Sequence, residues 1–571
     1  MTRTLQRALL TRLDTAPDAR AIAFVDDKGR FAWQTVGDYF GQAARHATYL
    51  AEAGLRKGGV CVIVLSSGDL ASRIVLGTLW RGAVPLLVAP PSLQAGGAFS
   101  SLRQVLQSVI ARTGPDLVLI EDSLQTVADE LRADPVCARS RVLIAAEPDP
   151  AMPAWRVTDA AREDDRLALQ LTSGTTGMPK ICSWSNQRVW AALDGMAEAM
   201  AVSPADVFLN WTPLYHDMGL VNNFFLCLAK NIPLGMMKPQ DFVKNPSLWL
   251  RTAHNLQATT TWSPNFGFAL AAQRCRDADL AGVDLSHVVG FWSAAERIHH
   301  ETMQAFYARF KDYGLRYDAL KTNFGCAENV GGATFSAPGQ PYQFEQVDRD
   351  ALFGEGVARG AGAGASLTVV GAGKGYPGLA IHILDDDGGV LPDGHVGQIA
   401  LDSPSRLVEY LGDPEATADA LSTGWLRTGD LGYLRDGELF WVGRVRERIN
   451  IRGVKLDPSD FESILGDIEG VRPGCFAAFG VDDAGRGTQR VVIVAEGRLS
   501  AHRSAASITE DIRNRVFSVL GLNVDDVVMV AEGTLTKTSS GKRRHRFVKH
   551  LYETGRLGDF ALAATAGGAR G

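Results

Sequence analysis

The stretch LTSGTTGMPK, residues 171–180, decides how the rest of the chain reads. Two glycines and four hydroxyl residues follow a run patterned as a buried strand. Backbone N–H groups and hydroxyls in such a loop can surround the oxygens of a polyphosphate. The spacing departs from GxxxxGK[ST], which disfavours a P-loop nucleotide hydrolase.

Working outward, the first 300 residues alternate short β-branched runs with helical stretches. GVCVIVLSS (59–67), DLVLI (116–120), RVLIAA (141–146), ALQLTSG (168–174) and VVGFWSA (288–294) read as buried strands. Helices are predicted between them, for example over 31–53 and 190–201. Alternation of this kind implies mostly parallel sheets with ligands at their carboxyl ends. From about residue 375 the texture changes to AIHILDDDGG, GQIALDS, GYLRDGELFWVG and ERINIRG, short strands punctuated by Asp-Gly and Gly turns. After Arg446 a compact α+β pattern follows: a helix over 457–465, the strands CFAAFGV and RVVIVAE, a helix over 507–520, then VVMVAE. The expected fold is α/β, with a large N-terminal domain of parallel-rich α/β layers over 1–446. That domain includes a small β-rich subdomain at about 375–446, and a small mobile α+β C-terminal domain spans 447–571. The small-residue tail, 558–571, is expected to be disordered.

Composition narrows the function classes. The 571 residues are 46% hydrophobic and 21% charged, which is ordinary globular usage, and the formal charge is −6. That balance disfavours a nucleic-acid binder. The seven cysteines form no CxxC pair, so reduced thiols in a cytoplasm are the simple expectation. The N-terminal leucines Leu5, Leu9, Leu10 and Leu13 lie among arginines, an amphipathic helix rather than a secretory signal. Arg81 interrupts the most apolar run, 74–90, so no membrane span is expected. No internal repeat and no carrier-protein segment is apparent.

The motif at 171–180 is followed in order by PLYHDMGL (213–220), NFGCAEN (323–329), TGDLGYLRDGELFWVGR (428–444), RERINIRGVKL (446–456) and TKTSSGK (536–542). This series resembles the adenylate-forming superfamily of acyl-CoA synthetases, luciferases and peptide-synthetase adenylation domains. PLYHDMGL, MKPQDFVKNPSLWL (237–250), WSPNFGFAL (262–270) and the long excursion 335–371 bring it nearest to the fatty acyl-AMP ligases. The resemblance implies attack of a carboxylate on the α-phosphate of ATP, giving acyl-AMP and pyrophosphate. The acyl group, fatty or related, then passes to the phosphopantetheine thiol of a separate acyl or peptidyl carrier protein. ATP and Mg²⁺ are the implied cofactors. An acyl-CoA synthetase, an amino-acid adenylating enzyme and a catalytically inactive nucleotide-binding regulator are the competing readings. Nothing in the sequence sets the oligomeric state.

Carried over residue by residue, the resemblance assigns the nucleotide to Thr172, Ser173, Gly174, Thr175, Thr176, Gly177, Lys180, Ala295, Glu296, Asn323, Phe324, Gly325, Asp430 and Arg444. Glu328 is a catalytic residue and, with Thr175, the implied Mg²⁺ ligand, since a carboxylate beside a triphosphate needs a cation between them. Asp430, in a tight TGDLG turn, is expected to accept both ribose hydroxyls. Lys542 is the implied catalytic cation between carboxylate and α-phosphate, and His216 the gate of the acyl channel. Asp217 reads as structural. Arg446 is at the hinge position. The acyl pocket is expected to draw on Asn222, Phe224, Trp262, Asn265, Phe266 and Ser293.

Several positions depart from the family pattern. Phe324 replaces a tyrosine, Ala327 a threonine, Asn450 a lysine and Ala294 a glycine, while KICSWSN (180–186) lacks a Gly and a His. VNNFFLC (221–227) stands where small glycines are more usual, which would narrow or polarise the tunnel and change chain-length preference. The excursion at 335–371 resembles the ligases' insertion, thought to restrain domain movement and disfavour CoA.

Overall fold

The computed structural model describes residues 3–557 apart from 92–97, 159, 173–178, 350, 363–365, 446–448, 452–453, 457, 467, 484–487, 499–502, 521 and 536–544. Two large sheets dominate. In chain position, one runs Lys374–Gly375, Gly331–Phe335, Leu320–Cys326, Gly290–Ser293, Thr260–Ser263, Phe208–Asn210, Leu234–Met237, Arg20–Val25, Trp33–Thr35. Its middle strands, from Leu320–Cys326 to Arg20–Val25, are parallel. The other runs Glu409–Tyr410, Ile181–Ser185, Arg166–Leu171, Val84–Leu87, Val60–Val64, Leu117–Ile120, Arg141–Ile144. It is parallel except where Ile181–Ser185 pairs on both sides.

The strands alternate as a sheet buried on both faces must. Cys61 and Ile63 point into the core shared by the two sheets, while Val60, Val62 and Val64 point away under helix Ala98–Thr113 and its neighbours. Trp262 and Trp292 face the shared core, and Phe291 faces the far layer with Trp249 and Phe306. The result is a layered stack of helices and sheets.

The helix expected over 31–53 is shorter, Val36–Glu52, because Trp33–Thr35 is spent as an antiparallel edge strand on Arg20–Val25. Thr35 then caps the helix, accepting the N–H of Asp38 at 3.1 Å. The helix expected over 190–201 starts earlier, at Asn186, capped by Ser185. The expected helix over 457–465 breaks into a 3₁₀ turn, Pro458–Phe461, and one α-turn, Glu462–Leu465.

The β-rich texture after residue 375 forms a four-stranded antiparallel sheet, Ala380–Leu384, Gly397–Asp402, Leu426–Arg435 and Glu438–Arg444. Beyond it lies a three-stranded sheet, Val471–Asp483, Thr488–Gly497 and Asp526–Val530, packed on helix Ala505–Leu520. The 335–371 excursion carries an antiparallel hairpin, Phe344–Asp348 with Ser366–Val370. Val347, Leu352 and Val369 pack on Leu431, Tyr433, Phe440 and Val442 of the four-stranded sheet. Arg349 of the same excursion donates to the carbonyls of Val519 and Leu520 at the end of helix Ala505–Leu520. The small C-terminal unit is also held by an ion pair, Arg297 Nη1 to Asp460 Oδ1 at 2.6 Å.

Candidate active site

The base of the 173–178 loop is a short clamp. Thr172 N–H donates to the Lys180 carbonyl at 3.0 Å, and Lys180 N–H returns to Thr172 Oγ1 at 3.3 Å. Ser173, Gly174, Thr175, Thr176 and Gly177 lie outside the described residues, as do Arg446 and Lys542. Lys180 opens the Ile181–Ser185 strand, and its ammonium stands 4.4 Å from the ring centre of Tyr410. That geometry suits a cation–π contact.

Tyr410 joins two parts of the site. It belongs to the two-residue strand Glu409–Tyr410 and is the register partner of Cys182. Its hydroxyl donates to Glu328 Oε1 at 2.8 Å. The Glu328 backbone is pinned as well, its carbonyl accepting Leu407 N–H at 2.6 Å. Trp184 Nε1 donates to the neighbouring Ala327 carbonyl at 2.8 Å. Burial pushes the Glu328 carboxyl above its ordinary range, against the pull of the Tyr410 hydrogen bond and the Arg444 charge. A half-buried carboxylate with one short neutral donor fits a divalent cation. Among the described residues no group of three or more His, Cys, Asp or Glu stands together as a metal cage.

The turn after Glu328 is strained. Val330 has φ +55, unusual for a β-branched residue, and Gly331 follows at φ +91. A Cβ on Gly331 would stand 2.4 Å from Asn222 Oδ1, so glycine is required there. Ala295, assigned to the nucleotide, is also left-handed at φ +72.

Asp430 is not in a tight turn. It lies within the Leu426–Arg435 strand, paired in register with Arg444 on Glu438–Arg444. The hairpin bend falls instead at Asp436–Gly437, both at positive φ. Asp430 Oδ1 accepts from Arg444 Nε at 3.1 Å and from Trp441 Nε1 at 3.2 Å. Oδ2 carries no hydrogen bond among the described residues. The charges of Asp430 and Arg444 act on Glu328, and those of Glu328, Asp217 and Lys180 on Cys182. Four motifs far apart in sequence therefore meet in one neighbourhood.

His216 precedes a helical turn, Asp217–Gly219, that runs on into a π-helical turn, Leu220–Phe225. Its Nδ1 is 3.3 Å from Asp217 Oδ1, which also accepts Met218 N–H at 2.9 Å. Gln170, from the strand that feeds the phosphate loop, donates to the Tyr215 carbonyl at 2.9 Å and ties the two segments together.

The residues expected to line an acyl pocket divide between the faces of one sheet. Trp262 and Phe224 are in the shared core between the two large sheets. Asn222 is there too, but its amide oxygen accepts Gly332 N–H at 3.1 Å, a brace for Gly331–Phe335. Ser293 pairs with Ser263 in register, and a Cβ on Gly267 would meet Ser263 Oγ and the ring of Trp211, which belongs to the far-face core. Ser293 therefore points to the far face. Phe266, 37% exposed, packs edge-on against Trp211. Asn265 is committed to the start of helix His300–Phe310, accepting His299 N–H at 3.1 Å.

Two further assigned residues are occupied locally. Asn323 donates to the Phe324 and Thr334 carbonyls, and Glu296 Oε1 accepts Phe266 N–H at 2.7 Å. Phe324 keeps an aromatic ring at the edge of the shared core, and the backbone of Gly325 passes close to Gly331. Tyr410 was not foreseen. Only the pairing of Glu409–Tyr410 with Ile181–Ser185, more than 200 residues away in sequence, brings it to Glu328.

Comparison with known proteins agrees with this geometry. The AMP-binding enzyme family matches residues 10–411. A 4-hydroxyphenylalkanoate adenylyltransferase of Mycobacterium marinum is 31% identical over 90% of this chain and 85% of its own. A Mycobacterium tuberculosis protein named as fatty-acid–CoA ligase fadD25 is 29% identical, covering 96% of this chain and 97% of its own. A solved chain from work on fatty acyl-adenylate ligases of E. coli and L. pneumophila superposes with a TM-score of 0.88 at 26% identity, covering 97% and 99%. The chain therefore belongs to the AMP-binding enzyme family, as an adenylate-forming ligase of the fatty acyl-AMP ligase type.

Proposed function

We propose that this enzyme activates a carboxylic acid of the fatty or a related class to acyl-AMP and then loads it onto the phosphopantetheine thiol of a separate acyl or peptidyl carrier protein. In the first step a carboxylate oxygen attacks the α-phosphorus of ATP. The bond from that phosphorus to the bridging oxygen breaks, and pyrophosphate leaves with the electron pair. In the second step the thiol sulfur attacks the acyl carbon, its proton passes to solvent, and AMP leaves.

The observation that carries the reading is the meeting of Lys180, Tyr410, Glu328, Asp430 and Arg444 at the base of the 173–178 loop. Glu328, with Thr175, would hold Mg²⁺, which when bound supplies positive charge to the phosphate oxygens. Asp430 would accept both ribose hydroxyls while the hydrogen bond from Arg444 holds its carboxylate in place. Lys542 would lie between the attacking carboxylate and the α-phosphate, where a fixed cation stabilises the charge that develops. Replacing it, K542A, is expected to slow adenylation by about 10²–10³. His216 would border the acyl carboxylate. The division at Arg446, with a mobile cap after it, belongs to the same proposal. Transfer to a carrier rather than to CoA is favoured by the 335–371 excursion, which holds the C-terminal unit through Arg349.

Mass spectrometry of the protein with Mg-ATP and a panel of acids tests this. Each acid is run alone, with CoA, and with a phosphopantetheinylated carrier protein. Acyl-AMP that persists with CoA but is consumed by the carrier is the expected result. Prompt acyl-CoA formation would replace the carrier step with that of an acyl-CoA synthetase.

A further inference from the structure

The shared core between the two large sheets narrows to a set of rings. Trp262 and Trp292 are register partners on adjacent parallel strands, and their indoles stack 5.2 Å apart at 18°. Phe335 meets both edge-on, at 6.3 and 5.6 Å. All three are buried. The helical segment after His216 contributes Leu220, Val221, Phe224 and Phe225 to the same core, each fully buried. Trp262 is one residue before the carboxyl end of its strand, the end at which ligands gather in open parallel sheets.

Polar atoms interrupt this apolar lining: Asn222 and Asn223 of that helical segment are buried, and Asn223 Oδ1 lacks a partner among the described residues. Trp262 Nε1 is shielded from solvent and has no hydrogen-bond partner among the described residues. Other buried indoles are satisfied: Trp249 donates to Thr261 Oγ1 at 2.8 Å and Trp184 to the Ala327 carbonyl at 2.8 Å. Trp211 Nε1 is also without a partner, but it belongs to the far face. A buried N–H left without an acceptor is unfavourable, and an alkyl chain offers none. An acyl group carrying an oxygen would. The same rings pack on one another and would have to part to admit a long chain.

We infer that the acyl site takes a compact carboxylic acid bearing an acceptor oxygen on its acyl portion, such as an aryl, keto or hydroxy acid, with Trp262 as the specificity-determining donor. This rests on the adenylation reading above and narrows its substrate class. Sites that hydrogen-bond a substrate reject analogues lacking the group far more strongly than apolar pockets sort chain lengths.

The test measures acyl-AMP formation and pyrophosphate release with ATP, Mg²⁺ and three kinds of acid: compact oxygen-bearing acids, size-matched alkyl acids, and hexadecanoate. In the wild type the compact oxygen-bearing acids are expected to lead hexadecanoate in kcat/KM by about tenfold or more. W262F keeps the ring stack and removes the donor. It is expected to lower kcat/KM for the oxygen-bearing acid about tenfold more than for its size-matched alkyl acid. W262A, which opens the stack, is expected to raise activity on hexadecanoate, and thermal melts of both variants report folding. Hexadecanoate equal to the best compact acid in the wild type would overturn the inference and leave the adenylation reading standing. So would a W262F variant that lowers both matched acids alike. ATP binding by calorimetry with no acyl-AMP from any acid would overturn the adenylation reading, and this inference with it.

Discussion

Glu328 shows at one residue how burial and function oppose each other. Because burial raises its pKa, the folded chain holds the proton more tightly than the unfolded chain does. Its contribution to stability is therefore full below the ordinary glutamate range and lost as pH rises through the raised value. Without ligand, E328Q is expected to melt with the wild type at acid pH and above it at mildly alkaline pH. With Mg²⁺ and ATP the order inverts, because the ligand stabilises only the folded state that binds it. Thermal melts across a pH series, with and without Mg-ATP, check both halves. Tyr410 tests the same carboxylate from its partner's side. Losing one hydrogen bond to a charged group costs about 1.5–3 kcal/mol, so Y410F is expected to lower kcat/KM for Mg-ATP roughly 10- to 100-fold. The KM for the acid stays unchanged, and a manganese titration followed by electron paramagnetic resonance in the presence of ATP shows the weaker metal binding directly. A residue that merely filled space would leave that titration unmoved.

At the scale of elements, the strand Gly331–Phe335 and the π-helical turn Leu220–Phe225 are joined by a hydrogen-bonded clip. Asn222 Oδ1 accepts Gly332 N–H and occupies the space where a Cβ of Gly331 would stand. G331A brings a side chain into a left-handed position against that oxygen and is expected to cost about 1–3 kcal/mol. N222A leaves a buried N–H without an acceptor, again about 1–3 kcal/mol. The two losses should be less than additive in the double variant, since both act on one contact. The midpoint of the first denaturant transition reads each effect. The extra width of a π turn is common at functional sites, and here it follows the helical turn that His216 opens. Fully additive losses would mean that the clip is not shared.

At the scale of the molecule, the excursion 335–371 touches both the hairpin of Asp430 and Arg444 and the C-terminal unit. Its hairpin packs on the strands that hold Asp430 and Arg444, and Glu345 accepts from Arg435 Nε at 2.7 Å and from Tyr433 OH at 3.1 Å. Arg349 reaches across to the carboxyl end of helix Ala505–Leu520, where a cation suits the helix dipole. The buried pair Arg297–Asp460 adds a second tie, 11% and 4% exposed. If these ties restrain rotation of the cap, the double variant R349A/D460A is expected to raise CoA-dependent AMP release about several-fold, domain motion being what completes the second half-reaction. Acid-dependent pyrophosphate exchange should persist. Unchanged AMP release would assign the restraint elsewhere.

The motif order from residue 171 to 542, and the alternation of β-branched runs with helices, were enough to determine the α/β layers and the adenylate-forming chemistry, and to single out Glu328, Asp430 and Arg444, which the fold brings together. Local sequence carries that much because strand burial and loop chemistry are set by residue type over a few positions. What it could not carry was partnership. Tyr410 reaches Glu328 only through the pairing of Glu409–Tyr410 with Ile181–Ser185. Asp430 reads as a turn residue until the register with Arg444 places it on a strand. Trp262 and Ser293 read as one pocket until side-chain alternation sends them to opposite faces of the same sheet. Each of these depends on which strands become neighbours and in what register, and those contacts lie tens to hundreds of residues apart in the chain.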